Sequence, residues 1–250
     1  MTTLKTNAIE PEGATTNLVI GESGQNVVVG GSGGIKVNTM KDAGGNTLFT
    51  SNGSGVLSSV SGFGGAQVLI SSQTASNSAS LSFTSGIDST YKEYVFEFYN
   101  IAPATDFAVF QFQVNASDDV GGDFDESYIT STFFHAHQKE NGGDAVLQYN
   151  TTSDQAQGTS YQNLAHNQGT GNGADESCAG ELHLFNPAST TYVKHFYARI
   201  HNYMPRATPY DWAQVGYVAG YLNQTLALPE ISFKMNSGNF DGKIKMYGVK

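Results

Sequence analysis

Between Tyr192 and Tyr203 the chain reads YVKHFYARIHNY. In an extended chain Phe196, Ala198 and Ile200 fall on one face and Val193, His195, Tyr197 and Arg199 on the other, because successive side chains of a strand point to opposite sides. The same period governs EYVFEFYNI (93–101), where Tyr94, Phe96 and Phe98 share a face, and FAVFQFQVN (107–115), where Ala108, Phe110, Phe112 and Val114 do. Strands are expected in seven further segments: AQVLISS (66–72), ASLSFT (79–84), YITSTFFHAH (128–137), GELHLFN (180–186), WAQVGYVAGYL (212–222), EISFKM (230–235) and GKIKMYGV (242–249). No stretch shows the 3.6-residue recurrence of an amphipathic helix. About ten strands with long connections at 116–127 and 150–178 predict a jelly-roll-like antiparallel β-sandwich. Several strands carry large groups on both faces: in 212–222, Val215, Tyr217 and Tyr221 oppose Trp212 and Val218. One face fills the sandwich, and the other is expected to meet a subunit.

Composition places a boundary near residue 63. Residues 1–62 contain one aromatic residue, Phe49, and 14 of the 29 glycines fall within residues 1–65. The remaining aromatic residues of a chain with 15 Phe, 13 Tyr and 1 Trp lie beyond it. Only residues 63–250 can therefore build an aromatic core, and they form the expected head domain. Residues 1–62 hold short β-branched pieces, NLVI (17–20), NVVV (26–29), IKVN (35–38), NTLFT (46–50) and GVLSSV (55–60), separated by GESG, GGSGG, DAGG and NGSG. Such runs bounded by Gly and Asn read as strands and turns. A single ribbon of this kind has nowhere to bury Val27, Val29, Ile35 and Leu48, and isolated ribbons are marginal in water. Three ribbons around one axis would bury them mutually, so this segment is expected to be a stem that trimerises.

Charge narrows the partners. Net charge is −10, with 12 Lys and Arg scattered over 250 residues. Binding to nucleic acid needs clustered cations that displace phosphate counterions, so neither nucleic acid nor an anionic membrane is expected as a partner. Charged residues make up 14% of the chain, against a typical ~25%, with small polar residues in their place. The lone Cys178 allows no internal disulfide. MTTLKTNAIEPEG has no apolar signal-peptide core, and no stretch approaches the ~18 apolar residues of a membrane span.

Few motifs suggest chemistry. GGSGG (30–34) fits G-x-S-x-G, but a nucleophile elbow needs a following helix, and IKVN after Ser32 is strand-like. His135 and His137 share a face of their strand and could offer two imidazoles to a metal; the simpler reading is a pair facing solvent or a subunit interface. Asp118, Asp119, Asp123, Asp125 and Glu126 crowd one loop and could ligate Ca²⁺ or act as a glycosidase pair; the simpler reading is a solvated acidic loop. The face bearing His195, Tyr197, Arg199, His201 and Tyr203 suits a subunit interface or a sugar. The polar loop 150–178 is a second place for glycan or partner contact. No cofactor and no catalytic residue are expected.

The opening LKTNAIEPEGATTNLVIGESGQNVVVGG with IKVNTMKDAGGNTLF, and the ending FKMNSGNFDGKIKMYGVK with its Tyr247-Gly248 pair, resemble structural appendage proteins of tailed, marine podovirus-like bacteriophages, of tail-fibre or capsid-fibre type. The resemblance implies a non-enzymatic virion component, a homotrimer attached to another virion protein through residues 1–62 and displaying its sandwich outward. Contact with a host surface glycan or protein would follow for a tail fibre; a capsid decoration or head fibre, or a polysaccharide-degrading spike, are alternatives. Tyr197 and Tyr203, with Val27, Val29, Ile35 and Leu48, are the expected interface residues.

Overall fold

A computed structural model describes residues 39–42, 44–51, 54, 57–58, 66–118, 123–124, 127–205 and 211–250. The chain divides into two units, Met1–Phe63 and Gly64–Lys250. Every regular element among the described residues is a strand.

In the first unit β1 (Thr39–Lys41), β2 (Thr47–Ser51) and β3 (Leu57–Ser58) form an antiparallel sheet in that order. The β1–β2 turn is closed by Asp42, whose Oδ1 accepts the Asn46 N–H at 2.8 Å. Leu48 is half-buried in β2. The stem segments NLVI, NVVV and IKVN, with Val27, Val29, Ser32 and Ile35, lie outside the described residues.

The second unit contains β4 (Gln67–Ser78), β5 (Ser80–Phe83), β6 (Glu93–Pro103), β7 (Phe110–Asn115), β8 (Ile129–Lys139), β9 (Ala145–Tyr149), β10 (Ala156–Gly158), β11 (Gln162–Asn163), β12 (Cys178–Phe185), β13 (Lys194–Met204), β14 (Trp212–Leu222), β15 (Glu230–Met235) and β16 (Phe240–Val249). One sheet runs β10-β8-β14-β13-β12-β6-β16-β4, with β9 also paired to β8; the other runs β11-β7-β15-β5. The chain crosses between the sheets at β4, β5, β6 and β7. Its last two strands then insert into the middle of both, β15 between β5 and β7 and β16 between β4 and β6. The layers β4-β16-β6-β12 and β5-β15-β7-β11 are the interleaved Greek keys of a jelly roll. The remaining strands, β8 to β10, β13 and β14, extend the first layer sideways.

Aromatic residues from both layers hold them together. Phe233 of β15 lies against Phe96 and Phe98 of β6, with ring centroids 5.3 and 5.2 Å apart. Phe98 meets Phe110 edge-on at 5.1 Å, and Phe112 meets Phe196 at 5.0 Å. Burying each ring is worth about 1.5–3 kcal/mol. Gly248 in β16 is required by close approach: a Cβ there would lie 2.2 Å from the Tyr91 ring, which lies over the bare backbone.

Candidate functional site

β13 alternates as its sequence predicts. Phe196, Ala198 and Ile200 are buried, and His195, Tyr197, Arg199 and His201 are exposed on the outer side of the large sheet. Register carries this outer side across the strands. One row runs Phe134, Tyr217, Arg199, Glu181, Glu97, Lys245, and the next runs Thr132, Ala219, Tyr197, His183, Val95, Tyr247. Phe134 and Tyr217 stack at 5.1 Å with planes 8° apart. Tyr197 stacks on His183 at 4.4 Å. His183 is in turn held by Glu93, Nδ1 to Oε1 at 2.5 Å, with Glu181 at 3.7 Å from Nε2. Arg199 donates to Glu181 at 3.0 Å. Burial, then the carboxylates of Glu93 and Glu181, raise the Tyr197 phenol above its usual value, so it remains a hydrogen-bond donor.

This face joins apolar surface to paired charge. Phe134 is 45% exposed and Tyr197 40%. Across these two rows and the row on either side of them stand three carboxylates, Glu93, Glu97 and Glu181, and three cations, Arg199, Lys243 and Lys245. Tyr203, the other expected interface tyrosine of β13, is half-buried, and its hydroxyl donates to Asp211 at 2.5 Å.

The histidine pair requires a correction. His135 and His137 do share a face, but it is the inner one. His135 is 1% exposed, stacks on His137 at 5.6 Å and meets His166 edge-on at 4.2 Å; His137 stacks on Trp212 at 4.1 Å. His135 therefore faces the chain's own interior rather than solvent, and His137 is half-buried beside it, with Nε2 3.7 Å from Asp144. The cause is the loop after β11, which covers this end of the large sheet: Asn202 Nδ2 donates to the Gly169 carbonyl at 2.8 Å, and Thr170 N–H donates to the Ala108 carbonyl at 2.9 Å. Burial and the neighbouring His137 hold the His135 imidazole below its usual pKa. Among the described residues no group of three His, Cys, Asp or Glu side chains is arranged to hold a metal ion. Of the acidic loop, Asp118 and Asp123 are described and exposed, and Asp119 and Asp125 lie outside the described residues. Cys178 is buried, and burial pushes its thiol up to about 12, which makes it unreactive.

The loop 150–178 is held in place by glutamines that its sequence gave no reason to place inside. Gln113 is fully buried and donates to the carbonyls of Ser127 and Thr159 at 3.1 and 2.8 Å. Gln162, also fully buried, donates to Ser153 O at 2.7 Å and accepts from Ser131 Oγ at 2.7 Å. Ser131 Oγ accepts the Gln155 N–H at 3.0 Å. The signal was present in FQFQVN, where two glutamines alternate with core residues. Period alone did not show that a loop would cover one of them. Between this loop and strands β7 and β11 lies a cleft of about 320 Å³.

Comparison with protein families, curated proteins and solved structures found no match for this chain. The fold and surface define its class as an all-β jelly roll with an enlarged sheet and a mixed-charge outer face.

Proposed function

We propose that this chain is a non-enzymatic virion structural protein that assembles with copies of itself, as a trimeric fibre or appendage attached through residues 1–62. The observation that carries the reading is the outer face of the large sheet. It offers stacked aromatic pairs and balanced charges, three of each sign, in a chain of net charge −10. Elsewhere, copies of so acidic a chain repel one another. Here two copies can meet without that cost, and aromatic residues with Arg are the groups enriched in interface cores. Assembly would also present several loop clusters together, so that weak contacts to a host surface act at high effective concentration.

The test is the solution mass of the full chain by light scattering, alone and with Phe134→Asp and Tyr197→Asp combined. A mass of three times 26.6 kDa that falls in the variant supports the reading. A trimer unchanged in the variant assigns assembly to another surface, and a monomer at all concentrations removes self-association from the proposal.

A further inference from the structure

The cleft between loop 150–163 and the small sheet has its own chemistry. Strands β7 and β11 are paired there, with Asn163 opposite Gln111, and Lys234 flanks Gln111 on β15. Gln111 Nε2 donates to Asn163 Oδ1 at 2.7 Å. That bond fixes both amides and leaves Asn163 Nδ2 to donate and Gln111 Oε1 to accept. Across the cleft, Asp154 accepts the Tyr149 hydroxyl on Oδ2, which leaves Oδ1 open. Tyr161 lines the same space, and Lys234 Nζ lies 4.0 Å from its ring centre.

From this geometry we infer that the cleft binds an uncharged sugar unit through a pair of neighbouring hydroxyls. A vicinal diol needs acceptors for its two O–H groups and a donor for its lone pairs; Asp154 Oδ1, Gln111 Oε1 and Asn163 Nδ2, all on the lining of the cleft, supply both. Other ligand classes fit poorly. An apolar molecule would find one ring, Tyr161, among polar groups, whereas pockets for such ligands are lined mainly by apolar side chains. A divalent cation would find the single carboxylate of Asp154, and Ca²⁺ takes 6–8 oxygens. A polyanion would meet that carboxylate on a chain of net charge −10. The wall is already ordered, because the Gln162 and Ser131 bonds pin Ser153 and Gln155, so binding need not order the loop.

This inference deepens the attachment reading by naming the class of surface partner, and it concerns a different sheet from the assembly face. The experiment is saturation-transfer NMR on the full chain with maltotriose, cellotriose and triacetylchitotriose as probes. At least one is expected to bind with a Kd of about 1 mM. Binding should weaken about tenfold, the loss of one good hydrogen bond, in Asn163→Ala and in Asp154→Asn. Asp154→Asn keeps an acceptor for Tyr149, so its fold is preserved. Arg199→Ala, on the other sheet, should bind as the parent does. The inference is overturned if none of the probes shows transfer at about 20 mM, or if transfer persists unchanged in the Asn163 and Asp154 variants. Either result leaves the solution-mass test of assembly untouched.

Discussion

Replacing Phe233 by Leu tests the central claim of the fold, that alternate residues face a shared interior. The Phe233 ring is fully buried and meets Phe83, Phe96, Phe98 and Phe110 at centroid distances of 6.2, 5.3, 5.2 and 5.9 Å. At about 0.5 kcal/mol each, the low end for aromatic pairs, those four contacts come to about 2 kcal/mol. The space left by the smaller side chain adds about 0.5–1 kcal/mol, because β15 is paired on both sides and cannot move inward. The expected loss is therefore about 2.5–3 kcal/mol, a large part of the ~5–15 kcal/mol that holds a domain. Phe134→Leu is the matched control on the outer face; it gives up one stack on Tyr217 and should cost about 0.5 kcal/mol in a single copy. Urea unfolding followed by the fluorescence of Trp212, the one tryptophan, measures both, at two protein concentrations so that any loss through assembly appears as a concentration dependence. Equal losses at low concentration would refute the assignment of inner and outer faces.

Three further outcomes are expected. Gly248→Ala should cost about 1–3 kcal/mol in urea unfolding by driving a methyl into the Tyr91 ring, and most of that cost should vanish when Tyr91→Ala is added. Stability should fall as pH drops below 6.5, the ordinary histidine value: folding lowers the His135 pKa, so the unfolded chain binds the extra proton in that window. The slope reaches at most about 1.4 kcal/mol per pH unit from this group, and thermal melts of His135→Phe should show a flatter profile. Gln162→Leu should cost about 1–3 kcal/mol, because it removes the amide donor to the Ser153 carbonyl and the acceptor of the Ser131 O–H. It should also open the 150–163 loop to limited proteolysis, read by mass spectrometry.

Much of the second unit could be read from period two. The strands at 212–222 and 230–235 have the bounds that alternation predicts, and β6, β7 and β13 bury the residues assigned to one face. Alternation says which residues share a side, not which side is covered. His135 and His137 went inward with Phe133 because a loop far along the chain closes over them. Lys194 shows the same limit. Its place before Phe196 puts it in the core, where sequence would not seat an ammonium; it is tolerated because Nζ donates to the carbonyls of Gln224 and Leu226 at 2.9 and 2.5 Å. Strands β10 and β11 are too short and polar to show a period, and β9, largely apolar, spans only five residues. The cleft was only partly legible: the loop stood out as polar, but Gln111 and Asn163 meet through a pairing between residues 52 apart in sequence.

The placement of β15 and β16 has a consequence for how the protein is made. These strands occupy the middle of both layers, yet they follow every other strand of the head in sequence and leave the ribosome after them. Until residues 230–249 emerge, β5 has no neighbour linking it to β7, and β4 none linking it to β6. The aromatic interior stays open on the side of Phe233, and neither layer can close. Folding of the head thus waits until β16 has emerged, and a ribosome that stalls before residue 230 yields a chain with no route to the native sheet order. For a component whose copies are proposed to join through the face of that sheet, the same delay means that the joining surface exists only once β16 is in place.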